Sequence, residues 1–249
     1  MTESDKQSSQ NTYPRIVILT GAGLSSESGI DIYRGKTGLW EKYRLEDVAT
    51  PEAYKQTPGK VHEFYNIRRS QLSDPKIKPN DAHKALARLD KELGQEVMII
   101  TQNVDDLLEK AGVRQVIHMH GELTKIRCEN CANVQVWDKD LDVETICTQC
   151  GEAGFLRPHI VWFGEIPFGL EMIYTALANC ETYISIGTSG SVYPAGGFVQ
   201  EARKGKCNET VEINSEDTAI SSFFDRRITG KAGDVVPGYI DELLERYSK

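Results

Sequence analysis

Ile16-Val17-Ile18-Leu19-Thr20-Gly21-Ala22-Gly23 is the stretch that decides the fold of this chain. An unbroken run of aliphatic and β-branched residues is typical of a strand that is buried on both faces of a parallel sheet. The glycine-rich turn that follows at once indicates a tight connection from the strand into a helix. We therefore expect residues 16–20 to form a strand of an α/β domain.

Three later segments repeat the pattern of a short apolar run that ends at a small or polar residue: Val97–Thr101, Tyr183–Ile186 and Thr210–Ile213. Helical periodicity alternates with them, in a helix capped by Asn80-Asp81, a second over Ile173–Leu177 and a third over Tyr239–Tyr247. This alternation predicts a doubly wound, Rossmann-like parallel sheet. Such sheets bind ligands at the carboxyl ends of their strands, where the sequence places Gly21, Gln102, Gly187 and Asn214.

Two stretches interrupt the alternation of strands and helices and predict a second, smaller domain. We interpret residues 30–73 as a helical insertion and residues 125–155 as a zinc-binding insertion. The Rossmann-like domain then comprises residues 14–29, 74–124 and 156–249. We expect residues 1–13, which are polar, to form a disordered N-terminus.

The 249 residues carry a net charge of −8, which disfavours broad binding to nucleic acid. The first dozen residues lack the apolar core of a signal peptide and the Arg-rich character of a transit peptide. No apolar run approaches the roughly 20 residues that span a bilayer. We therefore expect a cytoplasmic protein without membrane contact, and a monomer.

Four of the six cysteines form two close pairs, Cys128-x-x-Cys131 and Cys147-x-x-Cys150. In a chain predicted to be cytoplasmic, such pairs indicate a metal site rather than disulfides. Four thiolates fill the tetrahedral coordination of zinc and leave no position for substrate, so the predicted zinc is structural. We interpret the other two cysteines, Cys180 and Cys207, as buried or idle thiols.

The polar residues that could do chemistry leave alternatives open. Asn103 and Asp105 follow a predicted strand, although Asp105 could also cap the next helix. His118 and His120 alternate around Met119, so in an extended segment both would face one side, and either could transfer a proton. We interpret His62, His83 and His159 as surface or core residues.

Tyr65 and Arg68 lie three positions apart in a helical segment and would share one face. A phenol beside a guanidinium can bind a carboxylate, although amphipathic helices often carry both residues without that role. The Gly21–Gly23 turn can approach a pyrophosphate closely, but its spacing is not a strict GxGxxG, and an ordinary tight turn is the alternative.

Taken together, these segments resemble the motif set of the sirtuins, the NAD-dependent protein-lysine deacylases. The resemblance covers nearly the whole chain and rests on Gly21–Ser25, Thr101–Asp105, His120-Gly121, the paired cysteines, Arg157–Glu165 and Gly187–Ser189. A closer resemblance, to the bacterial CobB-type branch, rests on Gly38–Trp40, Asp47–Pro51 and Tyr65-x-x-Arg68. That branch removes acidic acyl groups such as succinyl and malonyl as well as acetyl.

The resemblance implies roles for individual residues. His120 matches the catalytic base. The NAD-binding positions are matched by Gly21, Ala22, Gly23, Ser25, Glu27, Arg34, Gln102, Asn103, Val104, Asp105, Gly187, Thr188, Ser189, Asn214, Ser215, Glu216 and Ala232. Tyr65 and Arg68 match the receptor of the acyl group, and Val161, Phe163, Gly164 and Glu165 match a strand that pairs with the substrate peptide.

The implied reaction removes acyl groups from the lysines of bound proteins or peptides and yields nicotinamide and O-acyl-ADP-ribose. Ile32 and Leu108 depart from the family pattern, because relatives have a polar residue and a histidine at these positions. Three other interpretations remain: mono-ADP-ribosyl transfer on the same fold, a Rossmann oxidoreductase, and a zinc-ribbon binding module.

Overall fold

The computed structural model describes residues 13–30 and 43–248. Within this part of the chain nine strands form two sheets: β1 Ile16–Thr20, β2 Val97–Thr101, β3 Val116–His118, β4 Gly121–Cys128, β5 Val134–Val136, β6 Leu156–Ile160, β7 Thr182–Ile186, β8 Glu209–Asn214 and β9 Arg226–Thr229. The helices are α1 Ala22–Ser25, α2 Leu45–Val48, α3 Pro51–Gln56, α4 Pro58–Gln71, α5 Asp81–Leu93, α6 Leu107–Ala111, α7 Leu170–Asn179, α8 Phe198–Lys204 and α9 Ala232–Tyr247.

The larger sheet has six strands in the order β3-β2-β1-β7-β8-β9, and every neighbouring pair is parallel. The order reverses direction between β1 and β7, as it does in a dinucleotide-binding fold. Every residue of β1 and of β7 is buried, which explains why both strands are rich in apolar residues. The predicted doubly wound sheet is confirmed.

Helices cover both faces of this sheet. On one face α5 and α9 bury Leu86, Leu89, Val236 and Ile240 against β1, β7 and β8. On the other face α7 and α8 bury Ile173, Leu177, Phe198 and Val199. Helix α5 begins where the sequence predicts, because the Asn80 side chain accepts hydrogen bonds from the backbone N–H groups of Ala82 and His83. Two apolar layers therefore fix the sheet and the loops at its carboxyl edge.

Some elements differ from the sequence-based expectation. The edge strands β3 and β9 were not predicted, because three or four residues with exposed or charged side chains carry little apolar signal. Helix α9 begins at Ala232, earlier than the expected Tyr239, and accommodates Pro237 in its interior. Leu108 packs among the apolar side chains between the sheet and α5, so an apolar residue suits its place in the fold.

The two predicted insertions pack against each other beside the carboxyl edge of the sheet. Helices α2 to α4 share an apolar cluster with Leu123 and Ile160 of the smaller sheet, whose strand order is β5-β4-β6. The buried guanidinium of Arg69 donates to the carbonyl of Leu123 at 2.8 Å. The smaller sheet begins at Gly121 and ends at Ile160, beyond the bounds expected for the zinc-binding insertion. The division into domains stays a prediction.

Residues 1–12 of the expected N-terminal segment lie outside the described residues, as do Ile32 and Arg34. Among the described helices, none is both long enough and apolar enough to span a bilayer.

Candidate active site

The glycine-rich turn after β1 packs directly against the turn after β7. The backbone N–H of Gly23 donates to the carbonyl of Gly187 at 2.9 Å. A Cβ atom on Gly23 would lie 2.6 Å from the Cα of Gly187, and Gly187 itself has φ of 63°. The glycines are thus required where the two turns meet, a reason that spacing alone did not reveal. The contact brings Gly21 and Gly23 next to Gly187 and Thr188, and the short helix α1, with Ala22 and Ser25 at its two ends, begins there.

The loop between β2 and α6 lies beside this turn and is tied to it by polar side chains. The amide nitrogen of Asn103 donates to the Gly21 carbonyl at 3.1 Å and to Ser25 Oγ at 3.0 Å. Ser25 Oγ in turn donates to Asp105 Oδ2 at 3.1 Å. Burial raises the pKa of Asp105, while hydrogen bonds from Leu107 and Ser25 partly oppose the rise. Three of the predicted NAD-binding residues therefore meet at one point.

Asp105 also holds the start of α6, because Oδ1 accepts from the backbone N–H of Leu107 at 3.1 Å. The N-cap of α6 is Asp106, so the alternative interpretation of Asp105 as the helix cap is wrong, although its carboxylate contacts the first residue of the helix. Its neighbour Val104 accepts a hydrogen bond from Leu123 at 2.9 Å, which joins this loop to the smaller sheet. Gln102 continues β2 by donating to the Thr20 carbonyl.

His83 joins the same polar cluster, which the sequence analysis did not anticipate. Its Nε2 lies 3.5 Å from Ser25 Oγ, and its Nδ1 lies 2.9 Å from Asn80 Oδ1. The ring is fully buried, and burial lowers its pKa to about 4, so it is neutral near pH 7. The helical spacing of α5 pointed only to a core position, and no local motif marked the contact with Ser25.

The structure distinguishes the two histidines that spacing left equivalent. His120 places Nδ1 3.2 Å from the Gln102 carbonyl, and its Nε2 makes no hydrogen bond within the described residues. Because a carbonyl only accepts, Nδ1 carries the proton and Nε2 keeps its lone pair. Burial lowers the pKa of His120, which favours this neutral form, although the Gln102 carbonyl opposes the shift. His120 is thus suited to act as a base.

His118 is held differently. Its Nε2 lies 2.6 Å from Glu109 Oε1 and its Nδ1 lies 3.4 Å from the Asn103 carbonyl. Both ring nitrogens are therefore used within the protein. Met119 between the two histidines is fully buried, and it lies with His120 in the turn after β3 rather than in an extended segment.

The residues expected on the adenosine side follow β7 and β8. The amide of Asn214 donates to the Thr188 carbonyl at 2.8 Å and so joins the two strand ends. Thr188 is buried, whereas Ser189, Ser215 and Glu216 are exposed. Ala232 begins α9, and the carboxylate of Glu27 accepts from the backbone N–H of Gly233 at 2.8 Å. Glu27 therefore serves the N-terminus of α9, where a negative charge is favourable.

The segment expected to pair with a peptide is irregular. Strand β6 ends at Ile160, and residues 161–165 leave it as a loop in which Gly164 has φ of 88°. The expectation of a continuous strand here is wrong for the structure as it stands. Val161 still donates its N–H to the His120 carbonyl at 2.9 Å, and Phe163 is 48% exposed beside it. The segment thus borders His120.

Glu165 has a structural role at the end of this loop. Its carboxylate accepts from Arg157 at 2.7 Å, from Arg127 at 2.9 Å and from the backbone N–H of Trp162 at 2.8 Å. The guanidinium of Arg157 is 1% exposed and stacks over the Trp162 ring. Although burial acts to raise it, the pKa of Glu165 is lowered by these partners. Its side chain fixes the loop.

Tyr65 and Arg68 lie on α4, close to the same loop. The Tyr65 hydroxyl accepts from Trp162 Nε1 at 3.0 Å, and its ring is buried. Arg68 is half-buried, with its guanidinium carbon 5.9 Å from the centre of the Phe64 ring. The helix therefore brings Tyr65 to the loop that borders His120, and Arg68 lies one turn further along the same helix.

The four paired cysteines come together as predicted. Their Sγ atoms all lie within 4.8 Å of one another, and the Cys128–Cys150 and Cys131–Cys147 separations are both 3.8 Å. A tetrahedral zinc ion with bonds of about 2.3 Å requires sulfurs roughly 3.8 Å apart, whereas a disulfide needs about 2.05 Å. The residue after each pair, Ala132 and Gly151, has positive φ, so both turns have the same shape. The cluster therefore fits zinc.

Comparison with known proteins agrees with this geometry. The Sir2 family profile matches residues 21–194. An NAD-dependent protein deacylase of Yersinia pseudotuberculosis is 53% identical over 93% of this chain and 83% of its own length. One from Salmonella typhimurium is 50% identical over 93% of this chain and 85% of its own length.

This chain belongs to the Sir2 family. Solved Sir2 structures match it along nearly its whole length. A Sir2 homologue in complex with NAD has 37% identity and a TM-score of 0.82, covering 93% of this chain and 90% of its own. A second homologue, bound to ADP-ribose, has 37% identity and a TM-score of 0.83, covering 94% of this chain and 93% of its own.

A third solved Sir2 protein, bound to a myristoylated histone peptide, is 29% identical to this Sir2 chain with a TM-score of 0.71. It covers 95% of this chain and 94% of its own length. The predicted family and the Rossmann-like fold are thus confirmed.

Proposed function

We propose that this Sir2-family chain removes acidic acyl groups from protein lysines, with His120 as the base and Tyr65 and Arg68 as the receptor of the acyl carboxylate. NAD-dependent protein deacylation itself follows from the family and from the curated relatives, which are about half identical over nearly the whole chain. The acyl class and the roles of single residues are the further content of the proposal.

The observation that carries the proposal is the state of His120 beside the polar cluster. Its Nε2 keeps a lone pair because Nδ1 donates to the Gln102 carbonyl at 3.2 Å. The next residue along the chain from Gln102 is Asn103, which is bound to Ser25 and through it to Asp105. A neutral imidazole therefore stands next to groups that can hold a ribose by hydrogen bonds.

NAD supplies the ribose carbon that accepts the acyl oxygen as nicotinamide leaves. One water molecule is then consumed, and the products are the free lysine, nicotinamide and O-acyl-ADP-ribose. The protein binds the two ends of NAD at the two sides of the sheet reversal. Asn103, Asp105 and Ser25 hold the nicotinamide-ribose side, and Gly187–Ser189 with Asn214–Glu216 hold the adenosine side. His120 takes the proton of a ribose hydroxyl at Nε2.

The acyl class follows from α4. Arg68 lies three positions after Tyr65 on α4, so the two side chains share one face of the helix. The Tyr65 hydroxyl accepts from Trp162 Nε1 in the loop after β6. A guanidinium and a phenol bind a carboxylate by charge-assisted hydrogen bonds, which a succinyl or malonyl group offers and an acetyl group lacks. We therefore expect acidic acyl-lysine to be preferred.

The peptide occupies the exposed side of the loop after β6. Val161, Phe163 and Gly164 present backbone and an exposed ring next to His120. An extended peptide can add there as a strand and bring its acylated lysine towards the base. Glu165 supports this surface from behind through Arg157, rather than by contact with the peptide.

Further parts of the proposal concern the whole protein. The four cysteines hold a structural zinc ion that stabilises the smaller sheet, because a four-thiolate site is closed to substrate. We propose a cytoplasmic monomer that binds acylated proteins and neither membrane nor nucleic acid. The curated relatives are named deacylases, which favours deacylation over ADP-ribosyl transfer and over hydride transfer as the reaction of this chain.

The deciding experiment measures nicotinamide release from NAD with matched peptides that carry succinyl-, acetyl- or unmodified lysine, followed by mass spectrometry of the peptides. We expect release only with acyl groups, and faster with succinyl. The His120→Tyr variant should keep its fold by circular dichroism and lose the activity. Release with the unmodified peptide, with label transferred from NAD to protein, would instead support ADP-ribosyl transfer.

A further inference from the structure

His118 has an arrangement that the role of His120 does not explain. Its side chain is only 7% exposed, and its two ring nitrogens face two acceptors. One is the carboxylate of Glu109, 2.6 Å from Nε2, and the other is the carbonyl of Asn103, 3.4 Å from Nδ1. Neither acceptor can donate a proton, so both contacts are hydrogen bonds only when the ring carries both protons.

The two contacts join elements that the cofactor site depends on. Asn103 lies in the loop after β2 and binds Gly21 and Ser25, whereas Glu109 lies in α6, the helix that this loop leads into. His118 itself ends β3, the strand beside β2. A cation at His118 therefore fixes the backbone of Asn103 relative to α6.

We propose that His118 is a positioning residue, which as an imidazolium ties the Asn103 carbonyl to the Glu109 carboxylate and so holds the loop after β2 in the shape that binds NAD. The effect of His118 on catalysis rests on the proposed function. The contacts of His118 are independent of that function. Loss of one proton leaves the charge-assisted bond to Glu109 and removes the weaker one to Asn103.

The charged groups around the ring agree with a cation there. Although burial acts to lower the pKa of His118, the hydrogen bond and charge of Glu109, the charge of Glu122 on β4 and the Asn103 carbonyl together raise it. Asp105 in the loop also feels the charge of His118. Lys125 acts on Glu109 and is itself paired with Glu122 at 2.7 Å.

The direction of the pH effect follows from these contacts. A histidine with a raised pKa keeps its charge at low pH and loses it as pH rises through that pKa. We therefore expect the KM for NAD to rise at alkaline pH, by roughly three- to tenfold for the loss of one hydrogen bond. The His120 base acts in the other direction, because it is protonated at acid pH.

The test uses the full chain with labelled histidines. In a nuclear magnetic resonance titration His118, assigned with His118→Gln, should titrate above the ordinary 6.5, and in Glu109→Gln it should titrate lower than in the wild type. The alkaline rise in the KM for NAD should move to lower pH in the same variant. Glu92→Gln, which removes an exposed carboxylate of α5, should leave both unchanged.

Two results would overturn the inference. One is a titration of His118 below 6.5 in the wild type. The other is an alkaline KM profile that Glu109→Gln does not move, because a purely structural histidine would alter stability alone. If no peptide is deacylated at any pH, the proposed function is wrong, but the proposed role of His118 is still open to test. The affinity for ADP-ribose, measured by calorimetry across pH, then tests that role.

Discussion

The histidines of the site differ in the contacts of their ring nitrogens, and these contacts determine which nitrogens carry protons. His118 faces two acceptors, whereas His120 faces one acceptor and keeps a lone pair, and His83 is neutral in the core. One site thus combines three states of the imidazole ring: His118 as the proposed cation, His120 as the proposed base and His83 as a buried neutral ring. Residue type and spacing predicted that histidines would be present, and only the tertiary contacts assign their protons.

The first prediction at this scale concerns Arg68. The Arg68→Met variant should lower kcat/KM for a succinyl-lysine peptide by roughly 30- to 4,000-fold, because breaking one half of a charge pair costs ~2–5 kcal/mol. Deacetylation should change far less. Lys60→Met, which removes an exposed cation from the same helix, serves as the matched control. Equal losses on both peptides would exclude the acyl receptor.

The second prediction concerns His83 and acid stability. Because burial lowers its pKa from 6.5 to about 4, the unfolded chain takes up the proton first as pH falls. The contribution of neutral His83 to the free energy of unfolding is fully present above pH 6.5 and is lost as pH falls towards 4. It amounts to about 3 kcal/mol. Urea unfolding across this range measures it.

The control for His83 is His83→Gln, because glutamine at the third position of a helix can keep the hydrogen bond to the capping residue. This variant should show a flatter decline of stability than the wild type between pH 6.5 and 4. His62, His120 and His159 also have pKa values lowered by burial and contribute equally to both proteins. Parallel curves would remove His83 from the explanation.

At the scale of the elements, the apolar strands were predictable and the edges were not. Strands β1, β2, β7 and β8 are rich in aliphatic and β-branched residues, and the predicted segments fall within them. Strand β3 has only three residues and β9 begins with two arginines, so pairing with a neighbouring strand decides both. The loop at residues 161–165 has the composition of a strand, but Glu165 draws it into a turn around Arg157.

The zinc cluster supplies the prediction at this scale. Cys147→Ser should remove zinc and lower the melting temperature, because a structural zinc contributes folding free energy of about 10 kcal/mol or more in small domains. Zinc content by atomic absorption and melting by calorimetry would measure the two effects. Cys207 is a thiol outside the cluster, so Cys207→Ser should leave the zinc content unchanged and should lower the melting temperature much less than Cys147→Ser. An unchanged zinc content in Cys147→Ser would contradict the four-cysteine site.

For the whole molecule, the meeting of the two turns after β1 and β7 joins the halves of the large sheet. Strands β3-β2-β1 stand on one side of this point and β7-β8-β9 on the other. Residues proposed to bind NAD come from both halves, so the ligand bridges them. The sequence predicted which residues meet, whereas the close contact of Gly23 with Gly187 required the structure.

A bridging ligand should stabilise the entire protein. At a concentration of 100 times Kd, ADP-ribose should add about 2.7 kcal/mol to the unfolding free energy and raise the melting temperature. Gly23→Ala should reduce this shift, because its Cβ would lie 2.6 Å from Gly187 Cα and separate the turns. Gly238→Ala, which has open space around the new methyl group, should retain it. Equal shifts in both variants would mean that the turns do not form the ligand site.

The central place of β1 has a consequence for how the protein is made. Ile16 pairs with Val97 on one side and with Thr182 on the other. Thr182 lies 166 positions further along the chain, the same separation as between Arg15 and Glu181, whose side chains are hydrogen-bonded. A ribosome that adds roughly 5–20 residues per second needs about ten to thirty seconds to cover that distance. For this interval the most apolar strand of the sheet has one edge without its partner. The edge of β1 that β7 covers in the folded protein therefore has no native partner until synthesis has passed Ile186.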